Sequence, residues 1–303
     1  MINDQADLIS STIKIDSGFE PDNVGSLYNL PEEPLIKIRT GDASGRLNLK
    51  DLWAHRELLY FLIWRDLKVR YKQTMLGATW VILQPLLMTI VFTIFMSRLA
   101  RVPSDGVLYP LFAYAGLLPW LFFSNAAQSS SQSLIANSYI ITKVYFPRLI
   151  IPAAIIGVRL VDFLVSALML FILMLYYGVH LSSSILIFPF LIVQVTLLAL
   201  GFGLWFSILN ARYRDFGSML SVLLQLWMFA SPIIYPSNLV PERWYPLYAC
   251  NPLVGIVEGV RASTLGMKFH WSGIAISAII TLSLLAYGTR SFCRMEEKVI
   301  DIL

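Results

Sequence analysis

The sequence predicts an all-α membrane protein with six transmembrane helices, a cytoplasmic amphipathic interface helix before them, and an external re-entrant hairpin between spans five and six. Of the 303 residues, 57% are hydrophobic and 14% charged, whereas soluble domains are about 45–50% apolar and about 25% charged. Several charge-free runs are long enough to cross the hydrocarbon core. Cations concentrate in alternate connecting segments, which is the pattern of the positive-inside rule.

The N-terminal segment 1–46 is predicted to be a polar cytoplasmic tail. It is rich in Asp, Ser, Gly, Pro and Glu and has no sustained apolar period, which is typical of chain that cannot bury enough apolar surface to fold. It also lacks the basic start and apolar run of a secretory signal. We therefore expect the membrane domain to be preceded by a tail and not by a cleaved leader.

Residues 47–74 are predicted to form the interface helix. Aromatic and apolar residues are spaced seven, four, three and four apart, so that they share one helical face: Trp53, Tyr60, Trp64, Leu67 and Tyr71. A basic flank beside this face contains Arg65, Lys68 and Lys72. Rings in the acyl boundary and cations against lipid phosphates would hold such a helix in the headgroup layer.

The transmembrane domain is predicted at 75–292, followed by a cytoplasmic tail at 293–303. The six spans are placed at about 76–97, 109–133, 149–177, 185–209, 217–235 and 271–290. Within the long irregular segment after span five, residues 251–265 are apolar but too short and broken to cross, which predicts a re-entrant or interfacial hairpin.

Orientation follows from counting Lys and Arg by side. From Arg56 onward, and leaving out Arg159 inside span three, the side of the interface helix carries twelve cations and the opposite side five, so both termini are predicted to be cytoplasmic. Cys250 and Cys293 would then lie on opposite sides of the membrane, which argues against a disulfide between them.

The motifs of common enzyme classes are missing from the sequence. It has no Gly-x-x-x-x-Gly-Lys-Ser/Thr stretch, so we do not expect it to cradle ATP phosphates. His55, His180 and His270 are scattered over different segments, so no metal site is predicted. The basic charge resides in loops between spans, and nucleic-acid binding is therefore not expected.

Polar residues crowd the end of span two, where they are predicted to face either the bundle interior or an aqueous lumen. These residues are Ser124, Asn125, Gln128, Ser129, Ser130, Ser131, Gln132 and Ser133. Aromatic residues recur at depth in the spans and are candidates for a channel lining: Tyr114, Trp120, Phe123, Trp205, Trp227 and Tyr235. Sugar C–H faces stack on such rings, but deep aromatics also serve as ordinary packing, and both interpretations stay open.

Two i,i+3 charge pairs fall within the membrane domain. Arg159 and Asp162 in span three form either a structural pair or a contact for the polymer or its headgroup. Glu258 and Arg261 in the external segment form either a gate-stabilising pair or a solvated pair.

One stretch resembles a motif of a known family. The residues that carry the resemblance are Arg65-Asp66-Leu67-Lys68, Tyr71, Leu76-Gly77, Trp80 and Gln84-Pro85. They are similar to the motif that opens the membrane subunits of polysaccharide-exporting ABC transporters. That family of type-2 ABC exporters includes the O-antigen (Wzm-type), group 2 capsule (KpsM-type) and wall teichoic acid (TagG-type) exporters. The resemblance covers the chain from about residue 50 onward.

The resemblance implies a bacterial inner-membrane homodimer of this chain with two copies of an ABC ATPase subunit. The complex would move a lipid-linked polysaccharide outward, driven by ATP hydrolysis in the partner. ATP and Mg would be bound by that partner, and this chain would hold no cofactor, no metal and no catalytic residue of its own.

The resemblance also implies roles for particular segments. The substrate would enter at the interface helix, at Arg65, Lys68, Arg70, Tyr71 and Lys72. The connector between spans two and three would couple to the ATPase through Lys143, Tyr145, Phe146 and Arg148. The segment 241–265, with Glu258 and Arg261, would form a periplasmic gate.

Three other functions compete with this interpretation. A type-2 exporter of a small lipid or drug would share its architecture. A self-sufficient channel or secondary transporter is disfavoured, because no inverted repeat and no isolated midplane acid is evident. A membrane glycosyl-transfer enzyme would need an acidic catalytic pair, which the sequence does not display. Co-purification of a separate ATPase discriminates an exporter subunit from the last two.

Overall fold

The computed structural model describes residues 53–72, 79–144, 146–179 and 182–302. Within these ranges the chain is helical and contains no β-strand, which confirms the predicted all-α class for the described part. The predicted tail 1–46, the first residues of the predicted interface helix, the motif residues Leu76 and Gly77, and Tyr145 lie outside the described residues.

Helices coincide with the described part of the predicted interface helix and with each of the six predicted spans, and shorter helices lie between some of them. In chain order they are α1 Arg56–Lys72, α2 Thr79–Phe92, α3 Tyr109–Ser131, α4 Ser133–Ala136, α5 Ser138–Lys143, α6 Ile150–Tyr176, α7 Phe188–Arg212, α8 Asp215–Phe229, α9 Tyr245–Ala249, α10 Pro252–Leu265 and α11 Trp271–Ile302. A π-helical stretch Thr93–Leu99 extends α2, and 3₁₀ turns occupy Ser183–Ile187 and Ser237–Leu239. The predicted C-terminal tail continues α11 to Ile302.

Four helical segments of the described chain are long and apolar enough to cross a membrane. They are Thr79–Leu99, Ile150–Tyr176, Ser183–Arg212 and Trp271–Met295. The helix α3 has 23 residues but ends in a polar Ser/Gln/Asn run, and α8 has only 15 residues. The structure thus supports a multi-pass membrane protein, and the two remaining spans of the six stay a prediction.

Local sequence explains where α10 begins and ends. The Asn251 side chain accepts a hydrogen bond from the Leu253 amide at 3.0 Å and so caps the first turn. Pro252 occupies the first helical position, where its missing N–H costs nothing. Gly266 ends the helix in the left-handed conformation, with φ of 71°. Nearly every residue of α10 is buried, so this helix is a packed part of the fold.

The helices α3 and α7 form the centre of the bundle. Both bury most of their length, and their aromatic residues belong to one large apolar cluster. Small residues permit the closest approaches: a Cβ on Gly201 would lie 2.6 Å from the Leu285 Cα of α11. A Cβ added to Gly203 would likewise lie 2.5 Å from the Ser130 Oγ of α3. These two glycines therefore serve helix packing within one chain.

A second apolar cluster forms the end of the bundle nearest the interface helix. Leu62 of α1, Leu134 of α4, Ile150 of α6 and Leu204 of α7 meet there. The side chain of Ile63 also closes on Gly157 of α6, where an added Cβ would lie 2.6 Å from the Ile63 Cδ1. The interface helix is thus packed onto the bundle by its apolar side, and its position relative to α6 is fixed.

Candidate functional site

Three of the six candidate channel aromatics are core residues of the single chain. Tyr114 and Phe123 have no exposed surface, and Trp120 is 3% exposed. The Tyr114 hydroxyl donates to the Ser166 carbonyl at 3.1 Å, which satisfies its polar group inside the bundle. This burial favours the packing interpretation over a channel lining for these three residues. Trp205 is half-buried, with its ring against Phe206 and Tyr287.

The other two aromatics, Trp227 and Tyr235, line an open cavity. It contains about 1160 Å³ of empty space and lies between the end of α8 and the segment leading to α10. Its remaining walls are Ala230, Leu239, Val240, Pro241, Trp244, Leu247, Tyr248 and Asn251. The cavity is thus predominantly apolar and aromatic, with a single amide among its lining residues.

The Trp227 ring is held in place from both sides. Its Nε1 donates to Asn251 Oδ1 at 3.1 Å, and its ring meets Phe123 edge-on at 5.3 Å between centroids. The Asn251 amide in turn donates to Ser231 Oγ at 2.9 Å. A fixed aromatic face beside a polar amide is chemically suited to a sugar ring, which offers C–H faces and hydroxyls.

Helix α8, whose end contributes Trp227 to this cavity, has a polar side that is not covered by other helices of the chain. Ser218, Ser221 and Gln225 follow one another at helical spacing, and all three are exposed. A glutamine amide is costly to leave in contact with hydrocarbon. This side of α8 therefore calls for water or another protein helix, and not lipid.

A charged cluster joins the interface helix to span three. The predicted pair Arg159 and Asp162 is present, with 3.6 Å between Arg159 Nη1 and Asp162 Oδ2. Two residues of α1 complete the cluster: Arg70 Nη1 lies 2.5 Å from Asp162 Oδ2, and the Tyr71 hydroxyl donates to Asp162 Oδ1 at 3.0 Å. Sequence reasoning missed these contacts, because the partners lie about ninety positions apart.

Tyr71 does not share the exposure of the aromatic face predicted for the interface helix. Trp53, Tyr60 and Trp64 are exposed as predicted, but Tyr71 turns inward to the Asp162 carboxylate. Burial and the nearby Asp162 carboxylate raise the pKa of Tyr71 to about 12. The phenol therefore stays protonated, and able to donate this hydrogen bond, throughout the physiological range.

The other basic residues of the interface helix stay near its surface. Arg65 pairs with its neighbour Asp66 at 2.8 Å and reaches Asn137 at 3.4 Å. Lys68 lies over the exposed Trp64 ring, 5.0 Å from its centroid. Lys72 ends the helix and is exposed. An exposed ring with a cation above it is typical of residues at a membrane interface.

The polar run at the end of span two divides between the two predicted environments. Ser130, Ser131 and Ser133 are fully buried in the bundle interior. Asn125 lines a cleft together with Arg159 and Asp162. Three of the polar contacts there hold the turn between α7 and α8, with Asn210 Nδ2 donating to the Ser131 carbonyl at 3.0 Å. These contacts include the Gly217 amide donating to Asn210 and the Gln128 amide donating to the Gly217 carbonyl.

The connector between α3 and α6 contains Phe146, which the resemblance assigns to ATPase coupling. This ring is 6% exposed and belongs to the second apolar cluster, the one at the end of the bundle nearest the interface helix. It is therefore a packing residue of the single chain, and its part in coupling stays a prediction. Arg148 is half-buried and Lys143 is exposed.

The exposed surface of the connector lies before Phe146, between Tyr139 and Val144. Tyr139 is 70% exposed, and Val144 is 56% exposed. Lys143 Nζ donates to the Tyr139 hydroxyl at 3.0 Å and lies 4.2 Å from the ring centroid. Thr142 completes this exposed group. A ring held by its neighbouring cation is a rigid anchor of the kind that protein partners bind.

Glu258 and Arg261 do not pair with each other in the way their spacing predicted. Arg261 is 2% exposed, so the solvated alternative is wrong for this residue. Its Nε donates to the Phe112 carbonyl at 3.1 Å and its Nη2 to the Ile233 carbonyl at 2.7 Å. Glu258 instead contacts His270 Nδ1 at 3.2 Å. Arg261 thus joins α10 to α3 and to the turn after α8.

Comparison with known proteins places this architecture in a class. The family model described as ABC-2 type transporter matches residues 57–265. An O-antigen export system permease protein RfbA of Klebsiella pneumoniae is 30% identical over 248 residues, which cover 82% of this chain and 95% of that protein. A protein of the same name from Myxococcus xanthus is 28% identical over 218 residues, 71% of this chain and 82% of its own.

A further relative carries a different name. A polysialic acid transport protein KpsM of Escherichia coli is 25% identical over 239 residues, covering 76% of this chain and 92% of its own. A helical bundle in which four segments of the described chain are long and apolar enough to cross a membrane defines a multi-pass membrane protein. The chain belongs to the ABC-2 type transporter membrane family. It is therefore a multi-pass membrane subunit of that class of transporter.

Proposed function

We propose that this chain is the transmembrane subunit of an ABC exporter that moves a lipid-linked polysaccharide, of O-antigen or capsule type, outward across the bacterial inner membrane. The observation that carries the proposal is the similarity to O-antigen export permeases over 71–82% of the chain. The aromatic cavity at Trp227 and Tyr235 supports a glycan substrate, since sugars stack on fixed aromatic faces.

Two copies of the chain are proposed to assemble around the translocation path. The polar side of α8, with Ser218, Ser221 and Gln225, supports this arrangement, because it needs water or protein beside it within the membrane. The same helix leads to the aromatic cavity, so that a path along α8 would be polar at one end and aromatic at the other. The six spans, the cytoplasmic termini and the re-entrant α9–α10 segment are parts of this proposal.

Energy is proposed to come from a separate ABC ATPase subunit present in two copies, which binds ATP and Mg. The exposed group at Tyr139, Thr142, Lys143 and Val144 would receive it. This group lies on the connector between α3 and α6, on the side to which the cation count assigns the cytoplasm. The interface helix would receive the substrate, since its charged end meets span three at Asp162.

The function is tested by depleting the chain in cells that make a lipid-linked surface polysaccharide. We expect the lipid-linked polymer to accumulate on the cytoplasmic face and surface polymer to disappear, with both effects reversed by the wild-type chain. Export of a small lipid or drug is the second candidate, favoured if depletion leaves surface polysaccharide normal. Failure to co-purify any ATPase with the chain would contradict both candidates and favour a self-sufficient channel.

A further inference from the structure

A turn of irregular backbone, the post-α8 turn, follows α8 at residues 230–235. Ala230 and Tyr235, at its two ends, line the aromatic cavity. Between them Ile233 has no exposed surface and Ile234 is 6% exposed. Carbonyls beyond the end of a helix have no partner within the helix, and burial denies them water. The turn therefore needs hydrogen-bond donors from elsewhere in the chain.

Side chains from two other helices supply these donors. Tyr109, at the start of α3, donates from its hydroxyl to the Ile234 carbonyl at 2.7 Å. Arg261 of α10 donates from Nη2 to the Ile233 carbonyl, also at 2.7 Å. Among the described residues, no backbone amide of a turn or loop bonds to either carbonyl. The post-α8 turn is thus held to α3 and to α10 through its backbone.

Arg261 is the charged donor of the two. Its side chain is 2% exposed, its Nε donates to the Phe112 carbonyl at 3.1 Å, and its guanidinium lies 3.5 Å from the Phe112 ring centroid. Within the described part of the chain it forms no ion pair, since Glu258 contacts His270 instead. Two carbonyl dipoles and one ring face therefore take the place of a carboxylate. Loss of either carbonyl would leave a buried charge poorly compensated, so Arg261 favours the arrangement that keeps both.

A glycine of α3 makes room for this arrangement. A Cβ on Gly116 would lie 2.5 Å from Arg261 Nη2 and 2.7 Å from the Ile233 carbonyl oxygen. The guanidinium and the turn therefore meet α3 where no side chain separates them. In a helix the Phe112 carbonyl also accepts from the amide four residues later. The Ile233 carbonyl has no such second partner and depends on Arg261.

We propose that Arg261 is a positioning residue of the aromatic cavity: it holds the turn that joins the cavity residues Trp227 and Tyr235 in a fixed place against α3. Asn251 completes the arrangement at the start of α10, because it accepts from Trp227 Nε1 at 3.1 Å and donates to Ser231 Oγ at 2.9 Å. Arg261 itself lies outside the cavity lining and acts through the turn. That the positioned rings serve a sugar rests on the proposed function, whereas the positioning itself does not.

Four variants separate this role from a general contribution to folding. Arg261→Met keeps a long apolar side chain in the buried space but removes the donors, and buried ionic groups often tolerate such a replacement. Arg261→Gln is the second variant at this position, in case Arg261→Met does not fold. Tyr109→Phe removes only the hydroxyl that binds the Ile234 carbonyl. Tyr114→Phe is the matched control, because it removes another buried hydroxyl of α3, whose acceptor is the Ser166 carbonyl of α6 and not the turn.

The full chain is purified in detergent, and its backbone amide exchange is followed by hydrogen–deuterium exchange mass spectrometry. The reporting peptide covers residues 230–240, in which the Ile233, Leu239 and Val240 amides are hydrogen-bonded within the segment. The reference peptide covers residues 150–158 of α6, which pack in the second apolar cluster. We expect exchange in the reporting peptide to be about ten- to a hundredfold faster in the Arg261 variants, and about two- to tenfold faster in Tyr109→Phe, as when one charged or one neutral hydrogen bond is lost.

Faster exchange in the reporting peptide, with an unchanged reference peptide and wild-type behaviour of Tyr114→Phe, supports the proposal. It is overturned if the turn exchanges at the wild-type rate in an Arg261 variant that folds, or if the reference peptide accelerates equally. An effect of Tyr114→Phe on the turn as large as that of Tyr109→Phe also overturns it. Should neither Arg261 variant fold, a wild-type rate in Tyr109→Phe overturns it. Because neither ATPase nor polysaccharide is present, these outcomes are independent of whether the chain exports polysaccharide.

Discussion

The connector between α3 and α6 offers a matched pair of aromatic substitutions with opposite expected effects. Phe146 is 6% exposed and belongs to the apolar cluster of Leu62, Leu134 and Leu149 at the end of the bundle nearest the interface helix. Removing a fully packed phenyl ring loses its burial and leaves a cavity, at a typical cost of about 3–5 kcal/mol. Phe146→Ala should therefore lower the thermal stability of the purified chain, whatever its partners.

Tyr139→Ala should instead leave the stability of the chain unchanged. The ring is 70% exposed, and its contacts to Lys143 are a hydrogen bond and a cation–π contact at the surface. Surface substitutions of this kind usually change stability by no more than about 0.5 kcal/mol. If the ring anchors the ATPase, its truncation costs about 2 kcal/mol of binding, which is about a thirtyfold loss of affinity.

The assay measures both quantities on the same membranes. Stability is taken from the midpoint of thermal unfolding of the solubilised chain, and association from the amount of ATPase recovered with it across a concentration series. Thr142→Ala is the matched control, because it alters the same exposed group without removing a ring. The reasoning is refuted if Phe146→Ala unfolds at the wild-type temperature, or if Tyr139→Ala recovers as much ATPase as the control.

Three further results are expected. Cysteines placed at Ser10 and Ser182 should react with a membrane-impermeant reagent from the cytoplasmic and the external side respectively, and reaction of both from one side would contradict the six-span topology. Gly116→Ala should destabilise the fold by about 1–3 kcal/mol, because the added Cβ would lie 2.5 Å from Arg261 Nη2 and 2.7 Å from the Ile233 carbonyl oxygen; an unchanged unfolding midpoint would contradict this close packing around Gly116. Trp227→Ala should lower polysaccharide export with normal assembly, and export at the wild-type level would remove the aromatic cavity from the translocation path.

The helical elements were predictable because the membrane restricts a chain to few solutions. A spanning segment must satisfy its backbone internally, so charge-free runs of sufficient length are helices almost regardless of their side chains. Pro85 and Pro119 did not prevent this, and each lies inside a helix. The segment of α10 was recognised as too short to cross, and its re-entrant course stays a prediction. The capping residues Asn251 and Gly266 give this helix its bounds.

The partners of individual side chains were predicted less well. Spacing along one helix correctly placed Arg159 beside Asp162, because i,i+3 neighbours meet on any helix. The same rule failed for Glu258 and Arg261, since carbonyls of other segments and His270 were better placed. Local spacing gives the neighbours that a residue can have, whereas packing between helices decides which of them it keeps.

The burial of aromatics shows the same limit. An aromatic in a span is equally apolar whether it packs or lines a lumen, so Phe123 and Trp227 could not be separated by composition. The structure separates them by what lies opposite each ring. Phe123 supports the edge of Trp227 from within the core, and Trp227 presents its other surface to the cavity beside Asn251. The buried Phe123 ring therefore also bears on the cavity, because it fixes the orientation of the Trp227 ring that lines it.

The interface helix shows how a local sequence pattern and contacts between helices together determine a structure. Its sequence combines an aromatic face with cations, and such a helix could lie on a bilayer without touching the bundle. Ile63 against Gly157 and Tyr71 against Asp162 instead fix it to span three at two points. A displacement of this helix would therefore pull on the carboxylate that restrains Arg70 and Arg159. Because Asp162 also lies 3.6 Å from Arg159, the position of the interface helix is linked to the charges inside span three.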